Sequence, residues 1–445
     1  MSNSNETGIQ NLPAMNLPQV VDPVVMAVAP TPPPIPEPTN LPPVRDRRIR
    51  ESALHTLAAW TARFIVGVFM ICNFFPLSFI TAIAAFGWLQ RRMQALSLRA
   101  WWEASPRRQD SSFEDFLDDL GPNAPVERPR WFLRERFAKH LGEISRGNSF
   151  GSFFVAIWDV VTLPIHSLLV NFKVGLSGLF ATSMLTGWGG MIMLFSWYFG
   201  WLNSFHKGYE DAFLGLLAAL FGSSLLILAL IYVPMAQAHQ AAAGEVAAFF
   251  QFRVVVRLIL TRFTAYAFLT GSLALTALVF EIPRLVTLNE NFIPNHKGVS
   301  PQAAYFMLQA WWFGWSIFFF AALLILRTIS AAIYRSAMLK AVRNGTIAID
   351  ELPTNLHVWF AKLAIVPETP IARSLIGAML HATIGLKYRV FLFSVVGLIW
   401  LLFVMRFYFG YFLVFNEYRG ILNHPVIQVP CIDWTPWHLV RGEEE

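Results

Sequence analysis

Charge is scarce in this chain. Asp, Glu, Lys and Arg together make up 14% of 445 residues, against roughly 25% in an ordinary globular domain. That shortage, beside 55% hydrophobic residues, excludes a water-soluble fold, whose surface needs more polar cover. Cysteine is scarcer still: Cys72 and Cys431 are too few and too far apart for a disulfide framework or a metal knuckle. Nucleotide-binding loops are missing, since neither GxxxxGK[ST] nor a GxGxxG between strand and helix occurs. The ten histidines form no HxxxH, HxxH or HExxH pair, which removes the familiar zinc-protease and di-iron patterns. No metal and no cofactor is expected. The net charge of +6 does not call for a nucleic-acid partner, because the basic residues flank apolar runs instead of lining one face.

What the chain has in quantity is apolar length, with 40 Phe and 16 Trp. Crossing about 30 Å of hydrocarbon takes about 20 apolar residues in a helix, because backbone groups in lipid must be hydrogen-bonded within the segment. On that ruler the sequence predicts an all-α polytopic helical membrane protein with about six transmembrane helices and interfacial amphipathic helices. The candidates run from about Ala58 to Leu89, then Val174–Leu202, Ala212–Val233, about Phe263–Phe280, Ala304–Leu326 and Tyr388–Phe415. Residues 1–50 read as a disordered tail, holding eleven of the 27 prolines. Residues 51–90 are the first membrane segment and 91–148 a cytoplasmic loop with short helices. Residues 149–415 form a helical membrane domain and 416–445 a C-terminal tail. Residues 1–20 hold no continuous apolar core, so the first membrane segment is expected to direct insertion.

The first candidate is over 30 residues long yet interrupted by Asn73 and Pro76. A single kinked crossing and a re-entrant hairpin both remain open, and length favours the single crossing. Lys plus Arg between the candidates number 12, one, three, two and eight in chain order. That alternation puts the first, third and fifth connections in the cytoplasm. Residues 150–172 and 371–386 are too interrupted to cross and read as interfacial helices. In the first loop Ser111 and Glu114 fit a capping box. An acidic cluster follows, then a basic stretch around Arg128–Lys139 suited to anionic headgroups.

Few residues present themselves for function. Gly187, Gly189 and Gly190 interrupt the second candidate as GWGG, either as an unwound segment exposing carbonyls to a substrate or as a close-packing surface. Arg406 sits inside the sixth candidate, as an intramembrane charge or as one snorkelling from an aromatic belt. Arg327 falls at a span edge, where charges are ordinary. Asp159, His166, His239 and His381 fall on the cytoplasmic side and would form an interfacial polar cluster if they met.

After the third candidate, Pro234 is read as ending the span, and Ala236, Ala238, Ala241, Gly244 and Phe249 follow in a small-residue pattern. This pattern resembles a bacterial family of multi-pass membrane proteins known as a domain of unknown function, number four-zero-one-three. The resemblance implies a helical fold in the bacterial cytoplasmic (inner) membrane and brings no activity with it. The leading expectation from the residues is therefore a non-enzymatic scaffold or accessory subunit of a membrane assembly. Its partners would be membrane lipids and other membrane proteins or further copies of itself. A transporter or channel with its site at Gly187–Gly190, and an interfacial lipid-modifying enzyme, are the alternatives.

Overall fold

The computed structural model describes residues 53–72, 78–121, 124–125, 150–196, 212–280, 282–283, 300–365 and 375–413. All of them fall in one compact unit. The tails expected at 1–50 and 416–445 and the basic stretch at 128–139 lie outside the described residues. The chain is an all-α helical membrane protein, and no strand occurs among the described residues.

In chain order the helices are α1 (Ala53–Ile71), α2 (Ser78–Glu103), α3 (Phe113–Leu120), α4 (Phe150–Ser196), α5 (Ala212–Ala243) and α6 (Val246–Phe249). Then follow α7 (Phe252–Thr261), α8 (Phe263–Val279), α9 (Pro301–Arg343), α10 (Thr354–Leu363) and α11 (Leu375–Leu413). Four contain segments long and apolar enough to cross a membrane: Ile165–Met193, Leu217–Ala243, Gln309–Arg343 and Gly385–Val404. Helices α7 and α8 meet at a bend of 102° and together qualify as a fifth.

Among the described residues, then, four or five of the expected crossings qualify, and the first candidate is built differently from the others. It is two helices, not one kinked rod. Thr81 Oγ1 donates to the Met70 carbonyl at 2.7 Å, and the Arg92 guanidinium lies 4.4 Å from the Trp60 ring centre. Contacts pairing 70 with 81 and 60 with 92 make α1 and α2 antiparallel. Residues 73–77, with Asn73 and Pro76 among them, separate the two helices and lie outside the described residues.

Helix α5 is the axis of the molecule. Every residue from Ala229 to Ala243 is buried, as befits a helix that is apolar or small on all sides. It continues straight through the position where the sequence suggested that Pro234 would end the span. Its end is Gly244, at φ +75°, and α9 likewise closes on Gly345 at φ +66°. Both take the left-handed conformation that glycine adopts without a Cβ clash. Helices α2 and α4 cross with Gly87 and Gly175 facing: a Cβ on Gly175 would overlap the Ile83 carbonyl oxygen, and one on Gly87 that of Asn171.

Two interfacial helices expected at 150–172 and 371–386 are not separate elements. The first is the start of α4, and the second, from Leu375, is the start of α11. The helix that does turn aside is α7. It buries Val254, Val255 and Leu258 and leaves Phe252, Val256 and Leu260 exposed.

Beyond one end of the bundle the chain packs as a water-soluble domain would. Trp101 of α2 donates to the Arg335 carbonyl at 3.0 Å and packs its ring at a tilt against Phe360 of α10, with the ring centres 4.9 Å apart. Lys362 donates to the Asp119 carbonyl. The capping box of α3 is built one residue later than Ser111 and Glu114. Ser112 Oγ accepts from Asp115 N–H at 3.2 Å. Its own hydroxyl and backbone N–H both donate to the Asp115 carboxylate, which holds that carboxyl below its usual range.

Candidate functional site

The residues expected to matter are dispersed. Gly187, Gly189 and Gly190 lie in unbroken helix α4, so no carbonyls are freed there. Gly189 abuts the backbone of α5 at Gly222 and Leu226, whereas a Cβ on Gly187 or Gly190 would meet nothing within 4 Å. Arg406 and His381 lie on α11 and Asp159 on α4, and their side chains are outside the described residues. His166 is exposed on α4, while His239 is fully buried on α5. These two at least do not share an environment.

His239 is locked by partners. Its Nε2 lies 2.9 Å from Gln251 Oε1, an atom that only accepts, so Nε2 carries the proton. Nδ1 then accepts from the Tyr334 hydroxyl at 2.9 Å. Both ring nitrogens are satisfied by α9 and by the segment before α7. The arrangement ties three elements together and leaves no lone pair for a substrate. Among the described residues, no group of three or more His, Cys, Asp or Glu could hold a metal.

Instead, polar groups converge at a place the sequence treated as an edge. Helix α9 does not stop at Leu326 but continues to Arg343, so Arg327 lies inside the candidate span Gln309–Arg343 and not at the end of the helix. Its Nη1 donates to Gln237 Oε1 of α5, and its guanidinium lies 4.7 Å from the Phe86 ring centre of α2. Gln237 cannot easily turn away, because its Nε2 donates to Thr182 Oγ1 of α4 at 2.6 Å. Thr182 in turn donates to the Gly178 carbonyl at 2.8 Å. The chain of donors runs from α9 through α5 into α4 and fixes the guanidinium.

No carboxylate pairs with Arg327 among the described residues. An arginine costs up to about 2.5–3.5 kcal/mol on insertion scales, the upper figure applying at the centre of a span. A hydrogen bond to a charged group recovers roughly 1.5–3 kcal/mol and a ring face about 0.5–2. The site can therefore be tolerated, yet no carboxylate among the described residues cancels the charge.

Arg327 opens onto a cavity of about 110 Å³. Its walls come from α1, α2, α4, α5, α8, α9 and α11. Near Arg327 they include Gln237 and Ser330. Towards the other end they are Ile71, Ala277, Phe280, Phe319 and Phe320, with Trp400 alongside. A volume of ~10–15 Å³ suffices for one water, so this space admits a ligand or several waters. No family model, curated protein or solved structure matches this chain. The site's chemistry must be read from its own residues.

Pro234 forms part of the wall, and the reason is local. Proline removes the N–H that would bond to Leu230 and crowds that turn. Tyr266 of α8 steps into the next rung: its hydroxyl accepts from Met235 N–H at 3.3 Å and donates to the Ile231 carbonyl. Ser330 of α9 donates to the Pro234 carbonyl at 3.4 Å. The opened turn is thus satisfied by two neighbouring helices, with Leu230, Pro234 and Gln237 facing the cavity.

Proposed function

We propose that the protein is a non-enzymatic, ligand-binding protein of the membrane that takes an anion at Arg327. The observation that carries this reading is a guanidinium that lines a cavity between the helices and that no carboxylate among the described residues pairs. A scaffold role alone accounts for the glycine crossings but gives no reason to keep a lone charge there. An interfacial enzyme built on His239 is disfavoured, because both its ring nitrogens are occupied. The transport alternative keeps its logic, with Arg327 replacing Gly187–Gly190 as the site. A bacterial cytoplasmic membrane, membership of the four-zero-one-three family, and lipid or membrane-protein partners belong to the same proposal, supported by the pattern from Pro234 to Phe249.

The test compares the full chain with Arg327→Gln, both purified in mild detergent. Native mass spectrometry should find anionic species bound to the parent and missing from the variant. Thermal unfolding after ligand removal should show Arg327→Gln as stable as the parent or more so, since an uncompensated charge has been removed. A variant that retains the same bound species, or that unfolds several degrees lower when both are ligand-free, would mark Arg327 as a structural residue and end the proposal.

A further inference from the structure

The cavity beside Arg327 is small, singly charged and mostly apolar, and these three properties together narrow its ligand to one class. An apolar cavity of about 150 Å³ holds benzene, with six heavy atoms. In proportion, about 110 Å³ holds a ligand of about four or five heavy atoms. Nucleotides, sugars and lipid chains are excluded by size. Among the described residues Arg327 is the only charged side chain on the wall. One negative charge on the ligand balances it, and a second would be buried without a counter-charge.

The hydrogen-bonding groups narrow the choice further. A guanidinium presents five N–H donors in a planar fork that matches a carboxylate, and Arg327 spends one of its nitrogens on Gln237. The Gln237 amide nitrogen is held by Thr182. Ser330 and Thr276 turn their hydroxyl protons to the Pro234 and Ser272 carbonyls. Trp400, on the same wall, has an indole N–H with no partner among the described residues. The side-chain groups left unused around the space are therefore donors. Most of the remaining lining is hydrocarbon, with Ala82 and Phe86 of α2, Leu230 of α5 and Leu323 of α9 among it. Leu323 lies one helical turn before Arg327, and Ala82 one turn before Phe86, whose ring centre is 4.7 Å from the guanidinium.

We infer that the ligand is a short-chain monocarboxylate of two or three carbons, with its carboxylate on the Arg327 fork and its methyl or ethyl group against Ala82 and Leu323. This inference rests on the reading of Arg327 as an anion site and adds the size and chemistry of the anion. Phosphate would bring a second charge and turn its outer oxygens to hydrocarbon. Nitrate would match the charge but leave the apolar wall facing water. A neutral molecule of the same size would fill the space and leave the guanidinium without an anion. A short carboxylate satisfies the fork, the wall and the volume at once.

The experiment is saturation-transfer NMR of propionate with the full chain in a non-ionic detergent. Competitors are acetate, hexanoate, nitrate, inorganic phosphate and propionamide, the last a neutral molecule of propionate's shape. Thermal unfolding with each compound reports the anions that carry no observable proton, since a ligand of the folded state raises the midpoint. A saturable propionate signal is expected, displaced by acetate, with the other four competing at least tenfold less well. Arg327→Gln should weaken propionate at least tenfold. Ala82→Leu, which takes up space beside Phe86, should weaken it at least fivefold. Should Ala82→Leu fail to fold, Ala82→Val gives the same comparison with less added bulk.

Nitrate or phosphate competing as well as propionate, or binding in its place, would overturn the carboxylate and leave an unselective small-anion site at Arg327. Hexanoate competing equally, or propionate bound unchanged by the folded Ala82 variant, would overturn the confinement to this cavity. Propionamide competing equally, propionate bound unchanged by Arg327→Gln, or no saturable binding of any of these anions would bring down the reading of Arg327 itself.

Discussion

Tyr266 and Pro234 act as a pair, although they are on different helices. The Tyr266 hydroxyl occupies the gap between the Ile231 carbonyl and Met235 N–H, two groups that would bond directly in a regular helix. Removing that oxygen in Tyr266→Phe leaves a buried donor and a buried acceptor together, at about 1–3 kcal/mol. Thermal unfolding in detergent should therefore show a lowered midpoint. Adding Pro234→Ala should recover much of the loss, because alanine lets the turn close on itself. Additive effects of the two changes would mean that the hydroxyl does not bridge the opened turn. The proline was conspicuous in the sequence, but it read as a terminator. Its partner lies on another helix, and nothing local to either residue announces the other. Arg327 was obscured for a similar reason. Hydropathy falls after Leu326, so a one-dimensional reading stops the span there. The helix continues, because Gln237 and Phe86 from two other helices support the charge.

At the scale of elements, packing in lipid gains little from hydrophobicity and depends on close approach. The crossing of α2 and α4 at Gly87 and Gly175 leaves no room for a Cβ on either residue. Gly175→Ala should force the helices apart and cost roughly 1–3 kcal/mol, the range for overpacking. Gly190→Ala sits beside it as a control in the same helix, where the added methyl meets nothing within 4 Å. Alanine there removes a flexible residue from a helix interior and should raise stability by up to about 1 kcal/mol. Unfolding midpoints that shift alike for the two variants would rule out glycine-specific contact as the basis of the crossing. The long apolar runs made the spans themselves readable, and the close-packing alternative was read at Gly187, Gly189 and Gly190, of which only Gly189 abuts a neighbouring helix. The α1–α2 hairpin was not readable in the same way. A run of that length satisfies the ruler for one crossing, and the contacts of Trp60 with Arg92 and of Met70 with Thr81 reveal the return. The elbows failed conversely. Polar residues at 150–172 and 371–386 looked like breaks, but a helix in lipid or on its rim absorbs them without ending.

For the whole molecule, the number of crossings is constrained by which loops touch. The end of α2 and helix α3 contact the end of α9 and helix α10, through Trp101 to Arg335 and Lys362 to Asp119. Both sets of residues must lie on one side of the membrane, so an even number of crossings separates them. Between them stand α4, α5, the bent pair α7–α8, and α9. Three of these cross by length and apolarity alone, so the count is even only if α8 crosses as well. The sharp turn between α7 and α8 is then the place where an interfacial helix enters the bilayer. The final span, Gly385–Val404, carries the chain to the opposite side from Trp101. Sidedness can be measured in sealed vesicles with a membrane-impermeant maleimide, after replacing Cys72 and Cys431 by alanine. Asp118→Cys and His357→Cys, both at exposed positions, should label from one side and Gln302→Cys only from the other. Were Gln302→Cys to label together with Asp118→Cys, α8 would be re-entrant. The packing of α3 against α10 would then require a different path for α9. The clustering of arginine and lysine in the first and fifth connections predicts that the shared side faces the cytoplasm. In intact cells Gln302→Cys should therefore react and the other two should stay protected until the membrane is opened.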